Sequence, residues 1–126
     1  MLTMAVPLYR TQLQTLNWQR PSGTVLSSVH GDYYAHDAAP AWMARHLALR
    51  YILPLEFMKH VQRLHLDGVR YFLEAGPKWS LTAFTQSILK TQPFLAQASV
   101  HPKVGEVEQF HRFLAFCDVH QLMAAS

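Results

Sequence analysis

Cysteine is almost missing from this chain. Cys117 stands alone, which excludes an internal disulfide, fits a reducing compartment, and leaves Cys117 as a small buried apolar residue. Charge is scarce as well. Asp, Glu, Lys and Arg make up 15% of the 126 residues, against about a quarter in an ordinary globular domain. The eleven Lys and Arg never form a run of three. A nucleic-acid surface needs a basic stripe, so the net charge of +3 is not read as nucleic-acid binding. No apolar run approaches the roughly 18 residues that span a bilayer. The opening MLTMAVPLYR lacks the basic start and long apolar core of a signal peptide. The expectation is a cytoplasmic chain with no membrane partner. No repeat, low-complexity stretch, GxSxG elbow, HExxH pair or CxxC pair occurs.

What the chain has is apolar surface, for half of its residues are hydrophobic. A domain of this length buries roughly two-thirds of what its unfolded chain exposes. The excess needs another polypeptide to cover it.

The patterning predicts a helix over residues 4–17, with Tyr9, Leu13 and Leu16 on one face, then turn chemistry at Arg20–Gly23. Thr24–Val29 reads as a short strand and HGDYYAHDAAP as a surface loop. Helices follow over Ala41–Leu49, with Pro40 at its start, and over Pro54–Asp67, with Phe57, Val61 and Leu64 on the inner face. Gly68 ends the second of these. Val69–Glu74 is apolar on both alternating faces, as in a parallel strand covered on both sides. Gly76-Pro77 makes a turn into a helix over Lys78–Lys90, with Leu81, Phe84 and Ile88 inward. Residues 91–104 read as a connector. A final amphipathic helix places Val107, Phe110, Leu114 and Cys117 on one stripe, widened by Phe113 and Phe116. The alternation is α/β. Two strands make a poor independent sheet, so the fold reads as incomplete.

Eight histidines invite a metal hypothesis. Of the pairs His30/His36, His60/His65 and Cys117/His120, only the last has an i, i+3 spacing that shares a helical face. Surface or hydrogen-bonded core histidines are the default reading, and no metal is expected. Ser27 and Ser28 end the expected strand near His30, yet a serine there is more often a turn residue than a nucleophile. Gly76 and Pro77 form a weak anion signal, because Pro77 removes one amide donor, and an architectural role is preferred. Glu74, at the strand's end, has the means to hydrogen-bond a neighbouring loop but has no partner that would make it a general base.

Several ordered motifs carry a resemblance. They are Pro54-Leu55-Glu56-Phe57, Gly68-Val69, Phe72-Leu73-Glu74-Ala75-Gly76-Pro77 and Leu81-Thr82. Upstream, PSGTVLSSVHG sets Ser27 at a family serine and Ser28 in place of the usual asparagine, and YRTQLQTLNWQRP precedes it. Together they resemble the closing part of the malonyl-CoA:acyl carrier protein transacylase family, which includes the acyltransferase domains of polyketide and polyunsaturated fatty-acid synthases. The match covers residues 5–90. Residues 1–90 are therefore expected to be the C-terminal portion of an acyltransferase domain, and 91–126 a linker and amphipathic helix.

The resemblance implies an α/β-hydrolase-like core with an inserted ferredoxin-like subdomain. This chain would supply its C-terminal part, an incomplete parallel sheet flanked by helices. It implies ping-pong acyl transfer. A serine in a Gly-His-Ser-x-Gly elbow takes an acyl group from coenzyme A, a histidine activates it, and the pantetheine thiol of an acyl carrier protein receives it. An arginine binds the carboxylate of malonyl-type substrates. None of these side chains matches a position here. The expected partners are an upstream acyltransferase half carrying the nucleophile and an acyl carrier protein. Acyl-CoA and the phosphopantetheinyl carrier are substrates, with no cofactor held by this chain. The family also supports its histidine with a backbone carbonyl four residues before the Pro-Val pair. A gapless count puts Arg50 there and is preferred, because the downstream match then needs no gaps; alignment on Arg-His-Leu puts His46 there at the cost of a four-residue insertion. The alternatives are a docking module without catalysis and a truncated reading frame without function.

Overall fold

In the computed structural model, residues 2–19, 21–35 and 37–123 are described. The chain divides into two compact units, Met1–His60 and Val61–Ser126. The elements run α1 (Leu2–Gln14), α2 (Pro40–Leu49), α3 (Phe57–Leu66), β1 (Tyr71–Glu74), α4 (Ser80–Ile88), β2 (Leu95–Ala98) and α5 (Glu106–Val119). The division falls inside α3.

In the first unit α1 lies against α2. Leu13, Ala44 and Ala48 form its buried cluster, with Val6, Tyr9, Trp18 and Leu47 packed around them. Leu13 and Tyr9 sit inward as the periodicity predicts, whereas Leu16 is 56% exposed. The reason is local. The helix ends at Gln14, and the chain turns as the Thr15 hydroxyl donates to the Gln12 carbonyl (2.7 Å). The indole Nε1–H of Trp18 then donates to the Leu13 carbonyl at 2.7 Å. This satisfies one of the carbonyls that a helix end leaves open. Pro40 occupies the first turn of α2, where its missing amide costs nothing.

The expected strand over Thr24–Val29 does not form. Leu26 and Tyr33 make a single antiparallel bridge, and the Tyr34 amide donates to the Val25 carbonyl (2.9 Å). Extension stops because Ser27 turns the chain. Its Oγ accepts from the amides of Val29 (3.4 Å) and His30 (3.1 Å), and its carbonyl accepts from Gly31 (2.9 Å). Gly31 has φ +70°, a left-handed conformation that glycine adopts without strain.

In the second unit β1 and β2 pair in parallel, with Tyr71 opposite Leu95 and Glu74 opposite Ala98. The segment read as a connector thus contains a strand. LAQA has no β-branched residue, so only its pairing with β1 defines it. Gly68, at φ +100°, ends α3 in the left-handed region, and its amide donates to the His65 carbonyl (3.1 Å). His65 is buried, with Nε2 3.2 Å from the Pro93 carbonyl. Val61 is buried and Phe57 and Leu64 half-buried, so the inner face of α3 is the one its spacing predicts.

Three faces depart from the sequence reading. On β1, Tyr71 and Leu73 are 41% and 43% exposed, so the strand is not covered on both sides. On α4, Leu81 and Phe84 point outward while Thr82, Thr85 and Leu89, beyond its end, are buried. The helix is turned this way because the Thr82 hydroxyl binds Glu74. On α5, Val107 and Phe110 are exposed while Gln109 and Cys117 are buried. There the side-chain amide of Gln109 donates to the Ala98 carbonyl at 2.7 Å. A buried carbonyl without a donor is costly, and this bond rotates an amide rather than a phenyl ring inward.

Candidate functional site

The carboxyl ends of parallel strands are where α/β folds place ligands. Here β1 and β2 both end beside the Gly76-Pro77 turn. An open cleft of about 540 Å³ lies there, lined by Gly76, Pro77, Ser99, Val100, Glu106 and Phe110. The Gly76 amide donates to the Ser99 Oγ at 3.3 Å, tying the two strand ends together. Above them Trp79 and His101 meet edge to face, ring centroids 5.0 Å apart.

Glu74 organises this end. Its Oε2 accepts from the Thr82 amide (2.7 Å) and the Thr82 hydroxyl (2.7 Å), and its Oε1 from the Leu81 amide (3.2 Å). Leu81 and Thr82 are the second and third residues of α4, whose N-cap position, Trp79, makes no side-chain cap. A carboxylate delivered from the preceding strand therefore does what an N-cap Asp or Ser normally does, and its charge suits the positive end of the helix dipole. Glu74 is fully engaged as a brace. Pro77 lies in the turn and Thr82 is buried. Ser99, which the sequence reading passed over, closes the turn from the second strand. No pattern around it distinguishes it, because its role depends on β2 pairing with β1.

Several of the other residues singled out lie in the first unit. Ser27 is 2% exposed and its Oγ accepts two backbone amides, the geometry of a turn. Ser28 is exposed beside it. Replacing Ser27 with alanine is expected to cost about 1 kcal/mol in urea unfolding, the worth of its turn hydrogen bonds. A Ser27→Ala chain with an unchanged urea midpoint would mean that the turn does not rest on these bonds.

His30, Tyr34, Trp42 and His46 form an aromatic cluster. The Trp42 and His46 rings lie 3.8 Å apart, and His30 and His46 5.4 Å apart. The His46 Nδ1 is 2.9 Å from the Trp42 carbonyl. His36 lies outside the described residues, and among those described no three metal-ligating side chains group together. Cys117 is buried, and His120 packs on Tyr71 and Phe116.

Arg50 follows the last residue of α2. Its amide donates to the Leu47 carbonyl (3.3 Å), those of Tyr51 and Ile52 to Ala48 (3.5 Å) and Leu49 (3.0 Å). Because Arg50 turns to Leu47, it does not take the His46 carbonyl, its ordinary helical acceptor. Pro54 is exposed in the loop that follows, and Phe57 opens α3 half-buried. Among the described residues no helix is long and apolar enough to cross a membrane.

No family model matches the chain. Over 82 residues it is 30% identical to a polyunsaturated fatty acid synthase subunit of Thraustochytrium sp. (strain ATCC 26185 / S-3), a match that covers 65% of this chain and 3% of that protein. Among solved structures, the acyltransferase domain from the second module of the salinomycin polyketide synthase superposes with a TM-score of 0.75 and 25% identity, over 92% of this chain and 26% of that one. The malonyl CoA-acyl carrier protein transacylase from Clostridium perfringens ATCC 13124 superposes with a TM-score of 0.73 and 20% identity, over 94% of this chain and 34% of that one. The chain thus spans a small part of the curated relative and about a third or less of each matched structure.

Proposed function

The chain has the fold of part of an acyltransferase domain of the malonyl-CoA:acyl carrier protein transacylase kind, and from that premise we propose that it is a fragment or split half of an acyl-CoA:acyl carrier protein acyltransferase. On this reading it transfers no acyl group until the portion bearing the nucleophilic serine and catalytic histidine joins it, in the same polypeptide or another. The observation that supports this most is the superposition on the salinomycin domain over 92% of the chain at TM-score 0.75. The apolar surface agrees with it: Leu66, Leu73 and Leu95 are exposed on the two-stranded sheet and the helix that precedes it, and Leu55 is exposed in the first unit. An exposed apolar area of this kind calls for a covering partner.

In the assembled enzyme the acyl group would travel from coenzyme A through the serine to the thiol of an acyl carrier protein in the cytoplasm. This chain would contribute the brace at Glu74 and, at the end of α2, a backbone carbonyl that orients the catalytic histidine. Arg50 and His46 are the two candidates. Neither the His46 nor the Arg50 carbonyl accepts a backbone amide from the residues that follow it, so each is open to an imidazole. A carbonyl accepting from the imidazole fixes which nitrogen faces the serine, as an orienting carboxylate does in the serine hydrolases.

The test is transfer of labelled malonyl from malonyl-CoA to a phosphopantetheinylated carrier protein. The chain alone is expected to give only the buffer rate. Addition of the polypeptide carrying the remainder of the core is expected to give turnover. Transfer by the purified chain alone would overturn the proposal.

A further inference from the structure

Folded interiors leave few voids larger than a single water. The first unit holds a cavity of about 230 Å³, bordered by Trp18, Pro21, Val25, Tyr34, Met43 and Leu47, with the exposed Gln19 beside them. Trp18 comes from the turn after α1, Val25 and Tyr34 flank the Leu26–Tyr33 bridge, and Met43 and Leu47 stand on α2.

The walls are fixed by contacts that do not depend on what fills the space. The Trp18 indole N–H is spent on the Leu13 carbonyl (2.7 Å), and Trp18 and Leu47 pack on the cluster of Leu13, Ala44 and Ala48. The Tyr34 amide holds the Val25 carbonyl (2.9 Å), and the Tyr34 ring meets Trp42 edge to face with centroids 5.4 Å apart. Met43 is carried by α2, its amide donating to the Ala39 carbonyl (3.1 Å). Collapse of the walls inward would break these contacts, so the cavity stands preformed.

Water is a poor filling for it. At about 30 Å³ each, roughly seven waters would occupy the volume, and each needs two to four polar partners. With the indole N–H already used, only Tyr34 and Gln19 bring strong side-chain hydrogen-bonding groups to the wall. An apolar cavity of about 150 Å³ takes one benzene. The larger space here has room for two fused rings. A ring also suits it better than an alkyl chain. The faces and edges of Trp18 and Tyr34 pair favourably with another ring, and so does the Met43 thioether. A rigid ring gives up no internal rotation on entering, whereas a chain does.

We infer that the cavity between the end of α1 and α2 is a binding site for a small flat aromatic molecule of one or two rings, uncharged and carrying at most a polar group or two to meet Tyr34 or Gln19. The site lies within the first unit and does not rest on the acyltransferase reading.

Nuclear magnetic resonance of the full chain, labelled with ¹³C at the methionine methyls and titrated with indole, tests it. The Met43 methyl signal is assigned by its loss in Met43→Leu. It is expected to shift and saturate with a dissociation constant below about 1 mM, the range for a ligand of this size. The methyls of Met4, Met58 and Met123, which are exposed elsewhere, are expected to stay in place. The flexible 1-hexanol is expected to bind at least about tenfold more weakly than indole. Val25→Phe sets a phenyl ring at a position that is 41% exposed and borders the cavity, and it should abolish the Met43 shift. Val107→Phe, in the second unit, should leave the shift unchanged. A Met43 signal unmoved at about 10 mM indole, well above the expected constant, overturns the site. Equal shifts at Met4 and Met58 mean loose adsorption and overturn it as well. Binding of 1-hexanol as tight as that of indole overturns the aromatic class. A shift that persists in Val25→Phe overturns the assigned cavity.

Discussion

Replacing Glu74 with alanine is expected to lower the stability of the second unit by about 3 kcal/mol, read as a shift of about 1–3 M in the urea midpoint. The carboxylate accepts three hydrogen bonds, two from backbone amides of the first turn of α4 and one from the Thr82 hydroxyl. Bonds to an ionised acceptor are about twice as strong as neutral ones. Thr82 is 3% exposed, so water cannot readily replace the lost acceptor. Trp79 offers no substitute cap. Glu74→Gln keeps one oxygen acceptor without the charge, and about half the loss is expected. If both variants unfold within about 0.5 kcal/mol of wild type, a range typical of unremarkable surface changes, the brace is not structural.

The second large effect is expected at Ala48. Ala44 and Ala48 are one helical turn apart on α2, both 0% exposed, and they face α1 around Leu13. A methyl is all the space allows. Leucine at 48 adds three carbons to a closed interface, which forces side chains off their rotamers or pushes the helices apart. About 3 kcal/mol of destabilisation is expected, at the upper end of the usual overpacking cost. Ala41→Leu, on the exposed side of the same helix, is the control and should fall within about 0.5 kcal/mol of wild type. Circular dichroism during thermal unfolding separates the two. An Ala48→Leu chain that melts at the wild-type temperature would mean α1 and α2 do not meet as described.

These two sites show how far periodicity carries. Val61 and Leu13 are buried where the 3.6-residue pattern predicts, because each sits on a helix whose apolar positions leave only one inward face. The pattern fails on α4 and α5, where apolar residues lie on several sides. There a single polar bond breaks the tie: Thr82 to Glu74 on one helix, Gln109 to Ala98 on the other. Neither bond is readable along the chain, since its partners are brought together only by folding. β2 escaped notice for a related reason. Leu95–Ala98 has no strand-forming side chains of its own and gains its identity from the backbone of β1.

The sequence by itself determined the helices, the stop at Gly68, the strand ending at Glu74 and the turn at Gly76-Pro77, because these follow from local dihedral preference and the spacing of apolar residues. It also carried the ordered motifs that resemble an acyltransferase core. The preference of serine for turns already favoured that role for Ser27; only the tertiary structure decided that Glu74 caps a helix beginning six positions on, and that the outward carbonyl of Ala98 is taken by Gln109. Hydrogen bonds between distant residues depend on where the chain is brought in space, and that information is shared among all the elements that pack.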